Sequence, residues 1–245
     1  MIEIKQIHKS FGEVTALQDV SFRAEDGQIT GLLGPNGAGK TTTLRILYTV
    51  LQPDRGSASV DGFDTIQDTL EVQRRIGALP DAHGLYPRLT ARENIRYFGR
   101  LHGLKGEFLE GQIERLIAML EMQDFADRKT EGFSSGQRVK VAIARALVHD
   151  PRNILLDEPT NGLDVMSTRA MRAFIRRLRD EGRCVLFSSH IMQEVSALCD
   201  QIVIIHRGEV AVSGTSEEIQ QHTGKSNLED AFVAAIGTEE GLVRS

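Results

Sequence analysis

The chain has 245 residues, 40% of them hydrophobic and 26% charged, and a formal net charge of −5 at pH 7. This length suffices for one large domain or two unequal lobes around a core. The negative charge gives no basic footprint for nucleic-acid binding, so we expect no nucleic-acid partner. Cys184 and Cys199 lack CxxC or metal-site spacing, which is typical of buried thiols in a reducing cytoplasm. No apolar run approaches the ~20 residues that span a bilayer.

The first elements are predicted to be strands. Alternating apolar and polar residues in IEIKQI (2–7) and VSFRAE (20–25) predict an antiparallel β flank. Later apolar runs without alternation predict strands covered on both faces, as in the parallel sheet of an α/β fold. These runs are QITGLLG (28–34), ASV (58–60), RIGALP (75–80), NILLD (153–157), CVLFSS (184–189) and QIVIIH (201–206).

The segment GPNGAGKT (34–41) lies between the predicted strand ITGLL and the helical run TTTLRILYTVL, and it fits the phosphate-binding pattern G-x-x-x-x-G-K-[ST]. Glycines let the backbone curl so that its N–H groups face a phosphate, and the helix N-terminus adds positive potential. In such a loop Lys40 would reach the β- and γ-phosphates of a nucleotide, and Thr41 would ligate Mg²⁺. An incidental glycine-rich turn is the weaker explanation, because strand and helix are both in register.

Between residues 85 and 150 the pattern changes to helices. Thr90 and Glu93 form a predicted capping box, and FLEGQIERLIAMLEM (108–122) has helical spacing. We therefore expect a helical subdomain at 85–150, inserted into a discontinuous α/β core at 1–84 and 151–245. Near the end of this insertion, FSSGQRVK (133–140) has the form of a second anion-holding turn at a helix start, without the lysine of a phosphate loop.

Two acids, Asp157 and Glu158, end the predicted strand in NILLDEPT (153–160). An apolar strand ending in two carboxylates is costly unless they face a cation or a solvent-filled site. In a phosphate-loop enzyme the first acid holds Mg²⁺, and the second is placed to polarise the attacking water. CVLFSSH similarly ends at His190. A single histidine at the end of a strand is more often a surface or core residue, but beside these motifs His190 is a candidate contact for a γ-phosphate. After residue 206, GEVAVSG predicts a last strand, and SEEIQQH and NLEDAFVAAIG predict short helices.

Together these segments resemble the ATP-binding cassette (ABC) ATPases over nearly the whole chain. The motifs follow that family's order: the aromatic Phe11 before Gly12, the phosphate loop, FSSGQ in place of the signature usually written LSGGQ, LLDEPT, NGLD and SSH. The resemblance implies a P-loop NTPase (RecA-like) α/β core with a mixed sheet, an antiparallel β flank and an inserted α-helical subdomain. It also implies ATP and Mg²⁺ as cofactors and ATP hydrolysis as the activity.

The resemblance further implies roles for individual residues. Phe11 would stack on adenine with Val14 as a weaker neighbour, Glu158 would be the general base and His190 the switch histidine. Asp164 in NGLD would cross the interface with a second copy of the chain. The other ATP-binding residues would be Gly34, Pro35, Asn36, Gly37, Ala38, Gly39, Lys40, Thr41 and Thr42. The signature residues that grip ATP bound to the second copy would be Ser134, Ser135, Gly136 and Gln137.

The metal site and the signature each contain a departure from the family pattern. Thr41 and Asp157 are the implied Mg²⁺ ligands, but Asp81 stands where the family has a glutamine. An aspartate is shorter and charged, so its contact with Mg²⁺, direct or through water, stays open. Ser135 replaces the first glycine of the signature and still supplies a backbone N–H.

Segments such as GLYPRLT, ENI and GTSEEI resemble the exporter branch of the family, and within it the ATPase subunit of bacterial sodium-efflux transporters. This implies a homodimeric peripheral subunit at the cytoplasmic face of the cell membrane, powering export of Na⁺, or otherwise of a drug or lipid, through an integral-membrane permease. A soluble ABC ATPase of translation or DNA repair is the alternative, although such relatives usually carry tandem cassettes, basic linkers or coiled coils. A non-hydrolysing regulatory module is opposed by Glu158 and His190, and a small-molecule kinase would leave FSSGQ and NGLD without a role.

Overall fold

The computed structural model describes residues 1–81 and 84–237. In this part of the chain the strands are β1 (Ile2–Phe11), β2 (Val14–Ala24), β3 (Ile29–Leu33), β4 (Arg55–Val60), β5 (Phe63–Asp64), β6 (Ile76–Leu79), β7 (Asn153–Asp157), β8 (Cys184–Ser189), β9 (Gln201–His206) and β10 (Glu209–Gly214). The helices are α1 (Lys40–Leu47), α2 (Thr69–Arg75), α3 (Ala91–Leu101), α4 (Gly106–Met119), α5 (Ser135–Leu147), α6 (Val165–Asp180), α7 (Met192–Leu198), α8 (Ser216–Thr223) and α9 (Leu228–Ile236).

The described strands form two sheets. One has the order β2-β1-β4-β5 and is antiparallel throughout. The other has the order β10-β9-β3-β8-β7-β6; its neighbours pair in parallel except for the antiparallel edge strand β10. Every residue of β3, β7 and β8 is buried, as expected for strands covered on both faces. The predicted α/β core with a mixed sheet and an antiparallel flank is confirmed.

One strand prediction is wrong in its placement. ASV (58–60) is the end of β4, which pairs antiparallel with β1 in the flank and not in the parallel sheet. Only one side of β4 is buried, because Ala58 and Val60 are covered while Ser59 between them is half-buried. Three apolar letters are too few to show this alternation, so the sequence pattern could not separate the two kinds of strand.

Three helices, α3, α4 and α5, follow one another between β6 and β7, as predicted for this stretch. Thr90 and Glu93 form the predicted capping box at the start of α3. Apolar residues of these helices, including Ile95 and Ile113, join the same buried cluster as Leu156 of the parallel sheet, which fixes the helical segment against the core. The subdomain boundaries at 84 and 150 stay a prediction, and residues 82–83 and 238–245 of the predicted core lie outside the described residues.

Three further helices, α2, α6 and α7, are not among the elements predicted above. Helices α2 and α7 have seven residues each, and the apolar pattern of α6 is interrupted by many arginines. Helix α6 still buries one stripe, formed by Met171, Phe174, Ile175 and Leu178. Within the described ranges, none of the helices combines the length and apolar character that a membrane span requires.

Candidate nucleotide-binding site

The loop between β3 and α1 depends on two glycines with no room for a side chain. A Cβ atom at Gly34 would lie 2.3 Å from the carbonyl oxygen of Ile205 on β9. Gly39 has a φ of 111° and ends the loop as the residue before α1, and a Cβ there would lie 2.6 Å from the Leu17 side chain. Only glycine fits such a conformation and such an approach. The loop is thereby pressed between β2 and β9, and its backbone leads directly into the N-terminus of α1.

Lys40 is the first residue of α1 and is only 5% exposed. Its Nζ donates to the carbonyl oxygens of Gly34, at 2.8 Å, and Pro35, at 3.2 Å, and lies 3.4 Å from Oε1 of Glu158. The ammonium group is therefore held over the loop, between backbone oxygens and a carboxylate. An anion with several oxygens can replace these contacts, because it offers the same lysine stronger charge-assisted hydrogen bonds.

Asp157, at the end of β7, is the buried acid of the site, with 1% exposure. Burial raises the pKa of its carboxyl group, the charge of Glu158 raises it further, and hydrogen bonds from Ser188 and Thr41 oppose the rise. These bonds come from Ser188 Oγ at 2.6 Å and from Thr41 Oγ1 at 3.3 Å, both to Oδ1. The negative charge is thus costly where it stands, and a cation beside it would relieve that cost.

The oxygen atoms around Asp157 fit Mg²⁺, which prefers hard carboxylate and hydroxyl ligands and retains several waters. Thr41 Oγ1 and Asp157 Oδ1 lie together at the edge of the phosphate loop. Asp81 lines a cleft together with Thr41, and its charge contributes to the raised pKa of Asp157. The predicted metal residues are therefore gathered at one place, and the role of Asp81 toward the metal stays a prediction.

Glu158 follows Asp157 in a left-handed backbone conformation, with a φ of 49°. A non-glycine residue pays a strain cost there, which is often found where a functional side chain must be aimed. The conformation is fixed by the Glu158 N–H, which donates to Ser188 Oγ at 3.0 Å. Oε2 of Glu158 lies 2.9 Å from Nδ1 of His190, whose side chain is 42% exposed. Glu158 and His190 thus form a contact at the mouth of the site.

These groups surround a cleft of about 370 Å³. The cleft is lined by Ala16, Asn36, Gly37, Gly39, Lys40, Thr41, Thr42, Asp81, Glu158, Asn161 and His190. It combines a buried cation, backbone N–H groups of a helix start and two acids, and the buried Asp157 is bonded to Thr41 at its edge, a combination suited to a phosphate chain with a metal ion.

Several predicted nucleotide contacts are outside the lining of this cleft. Phe11 and Val14 face each other at the end of the β1–β2 hairpin and are 49% and 67% exposed. Ala38 is a buried residue of the loop, and the Pro35 carbonyl accepts a hydrogen bond from Lys40. The cleft instead includes Ala16, which belongs to the same hairpin as Phe11. The stacking role of Phe11 stays a prediction.

The signature segment lies at a second place in the fold. Ser134 is the N-cap of α5 and forms a reciprocal capping box with Gln137. Gly136 is packed against α6, because a Cβ atom there would lie 2.9 Å from Ser167 Oγ. Ser167 in turn donates from its N–H and its Oγ to Asp164, the N-cap of α6. The signature segment therefore contacts the first turn of α6, which Asp164 caps, and neither Ser134 nor Asp164 lines the cleft of Lys40.

Three residues of the site are absent from the predictions. Ala16 carries no chemical signal in the sequence, and Asn161 is the first residue of NGLD, a motif in which only Asp164 is given a predicted role. Ser188 binds both Asp157 and Glu158 and is the first serine of SSH, so a polar residue at the end of a buried strand was an available signal.

Comparison with known proteins adds independent sequence information. The sequence profile of the family described as ABC transporter matches residues 17–161. The ABC transporter ATP-binding protein NatA of Bacillus subtilis is 48% identical over 224 residues, which are 91% of each protein. The linearmycin resistance ATP-binding protein LnrL of B. subtilis is 33% identical over 96% of this chain and 78% of its own length. The Nod factor export ATP-binding protein I of Burkholderia lata is 35% identical over 87% and 70%.

Solved structures agree with these relatives. An ATP-binding subunit of an ABC transporter superposes with a TM-score of 0.88 at 28% identity, over 96% of this chain and 99% of that one. The dimeric, post-hydrolysis cassette MJ0796 bound to ADP and Pi gives 0.80 at 29% identity, over 88% and 98%. With a family match over more than half of its residues and a relative of 48% identity along nearly its full length, this chain belongs to the ATP-binding ATPase subunits of the ABC transporter family.

Proposed function

We propose that this chain binds ATP with Mg²⁺ in the cleft beside Lys40 and hydrolyses it to drive export through a separate membrane permease. The observation that supports the proposal best is the gathering of Lys40, Thr41, Glu158 and His190 around one cleft, with Asp157 bonded to Thr41 at its edge. Phosphoryl transfer requires positioning and charge stabilisation more than covalent chemistry, and these side chains supply both.

In the proposed reaction a water oxygen attacks the γ-phosphorus, and the bond to the β–γ bridging oxygen breaks, which leaves ADP and phosphate. Glu158 accepts the proton of that water, and His190, 2.9 Å from it, orients the carboxylate and contacts the γ-phosphate. Lys40 exchanges the Gly34 and Pro35 carbonyls for phosphate oxygens. Mg²⁺ held by Thr41 and Asp157 would supply neutralising charge to the phosphates.

The signature supports a site shared between two copies of the chain. Ser134 starts a helix in the inserted segment and does not line the cleft of its own chain. We propose that Ser134, Ser135, Gly136 and Gln137 face the γ-phosphate bound to a second copy, with Asp164 at the contact between the two. The dimeric state of the similar cassette MJ0796 supports this arrangement.

The transport role and the location extend the family membership. One relative is named for Nod factor export and another for linearmycin resistance, which supports an exporter at the cytoplasmic face of the cell membrane. Na⁺ is our first candidate cargo, because of the likeness of GLYPRLT, ENI and GTSEEI to the sodium-efflux branch; a drug or a lipid is the second. A soluble ABC ATPase outside transport is not favoured, since these relatives are named for transport or resistance.

Glu158→Gln tests the hydrolytic role. The glutamine keeps the size of the side chain but accepts no proton, so we expect MgATP turnover to fall by at least ~100-fold while ATP binding persists. Proteoliposomes with the cognate permease would then lose ATP-driven export of Na⁺. Transport that continues when this variant has no ATPase activity would contradict the proposed function, and export of a drug in place of Na⁺ would contradict the cargo alone.

A further inference from the structure

Glu194 is a buried acid with no part in the cleft. It lies in the first turn of α7 and is 2% exposed. Its Oε2 accepts a hydrogen bond from Thr160 Oγ1 at 2.5 Å and one from Ser189 Oγ at 3.3 Å. Its Oε1 lies 3.6 Å from a guanidinium nitrogen of Arg172 on α6. One carboxylate thus connects three separate segments of the chain.

Two of these segments carry the proposed catalytic pair. Thr160 follows Glu158 by two residues on the loop after β7, and it is 6% exposed. Ser189 is the last residue of β8 and directly precedes His190, and its backbone carbonyl accepts a hydrogen bond from the Gly34 N–H at 3.4 Å. Glu194 is therefore hydrogen-bonded both to the loop of Glu158 and to the residue before His190, and it does not line the cleft itself.

A buried carboxylate is costly unless its lone pairs are satisfied. Here two hydroxyl donors and a guanidinium group share it, although the Nε of Arg172 has no hydrogen-bond partner in the described part of the chain. A residue needed only to start α7 would direct its carboxylate to N–H groups of that helix. The Glu194 carboxylate instead accepts hydrogen bonds from Thr160 and Ser189, which indicates that it fixes the position of these two segments relative to each other.

We propose that Glu194 is a positioning residue, which acts through Thr160 and Ser189 to hold Glu158 Oε2 and His190 Nδ1 at their 2.9 Å contact. The inference rests on the proposed function, since it concerns the geometry of that reaction. Displacing Glu158 or His190 by a fraction of an ångström misaligns the general base with the attacking water, while the hydrogen bonds of Lys40 to the Gly34 and Pro35 carbonyls do not involve Glu194. The expected signature is a loss in kcat without a loss in nucleotide affinity.

Thr160→Val removes one hydroxyl at nearly constant volume and tests the proposal without unpairing a charge. We expect its kcat for MgATP to fall by about tenfold, with KM within about twofold of the wild type, because only transition-state alignment is lost. Glu194→Ala removes both hydroxyl contacts, so we expect a fall of about 100-fold. Glu194→Gln retains an amide oxygen for the two hydroxyls, so its kcat should lie between the wild type and Glu194→Ala.

Thr130→Val is the matched control, because Thr130 is 4% exposed and donates to the Tyr86 carbonyl at 2.9 Å, away from the cleft. It should lower the melting temperature as Thr160→Val does and leave kcat unchanged. Wild-type kcat in Thr160→Val and Glu194→Ala would overturn the inference, as would a kcat loss in the control equal to that in Thr160→Val. If the wild type itself does not hydrolyse MgATP, the proposed function falls and this inference with it.

Discussion

Acid should destabilise this protein through His149. The His149 ring stacks on His102 with centroids 3.6 Å apart and planes 4° apart, and its Nε2 lies 3.0 Å from the Ile76 carbonyl oxygen. Burial lowers the pKa of His149 from 6.5 to about 4, and the neighbouring His102 contributes to the decrease. The folded protein therefore keeps this imidazole neutral at a pH where the unfolded chain protonates it.

The sign and the size of the effect follow from that pKa. Between pH 6.5 and about 4 the unfolded chain binds one more proton at this position than the folded protein, so the free energy of unfolding falls as the pH falls. Each pH unit in this window is worth about 1.4 kcal/mol. His149 alone should therefore remove about 2 kcal/mol of stability between pH 7.5 and pH 5.

Urea unfolding at a series of pH values checks this, with His149→Gln as the non-titrating variant. Glutamine can still donate to the Ile76 carbonyl, and the lost stacking lowers its stability by an amount independent of the charge on residue 149. The wild-type curve should fall more steeply, so that the two approach each other by about 2 kcal/mol at pH 5. His222→Gln, which removes an exposed histidine on α8, should keep the wild-type slope. Parallel curves for the wild type and His149→Gln would refute the reasoning.

Two further substitutions test the site. Gly34→Ala should abolish ATP binding and lower the melting temperature, because its Cβ would lie 2.3 Å from a backbone oxygen of β9. The control Gly111→Ala, whose Cβ would have nothing within 4 Å, should be neutral or stabilising by up to ~1 kcal/mol. Equal effects of the two substitutions in calorimetry and ATP titration would contradict this prediction. Asp157→Asn should raise the urea midpoint in the absence of metal, because burial and the charge of Glu158 make the Asp157 carboxylate costly in the folded protein. The same substitution should remove the Mg²⁺ dependence of ATP binding. A lower urea midpoint would contradict this prediction, because it would show that the carboxylate stabilises the fold.

The features predicted from the sequence are those encoded in short continuous segments. Strand β3, the phosphate loop and α1 follow from the pattern of about twenty residues, and the capping box at Thr90 was evident from two letters. The acids at the end of β7 are predictable because carboxylates that end an apolar strand need a partner. Each of these predictions depends on local geometry that a short sequence pattern specifies by itself.

The features missed depend on residues far apart in the chain. The Thr160–Glu194 contact joins positions 34 apart, and the stacked His102 and His149 are 47 apart, so neither has a periodic signal. ASV (58–60) was assigned to the wrong sheet because pairing with β1 is decided by tertiary packing. The role of Ser188 is not predictable from the sequence, because a buried serine is a structural core residue as often as it holds functional side chains. Only its hydrogen bonds with Asp157 and Glu158 identify it as part of the site.

The central claim is that Lys40 of one chain and Ser134 of a second copy act on the same ATP. Mixing two variants, Lys40→Ala and Ser134→Arg, tests it most directly, because a mixed dimer would contain one site with both residues intact. Each variant alone should be inactive, and an equal mixture should regain about a quarter of wild-type MgATP hydrolysis, since half of the dimers are mixed and each has one of two sites. A mixture that stays inactive beside an active wild type, or full turnover by Ser134→Arg alone, would contradict the account.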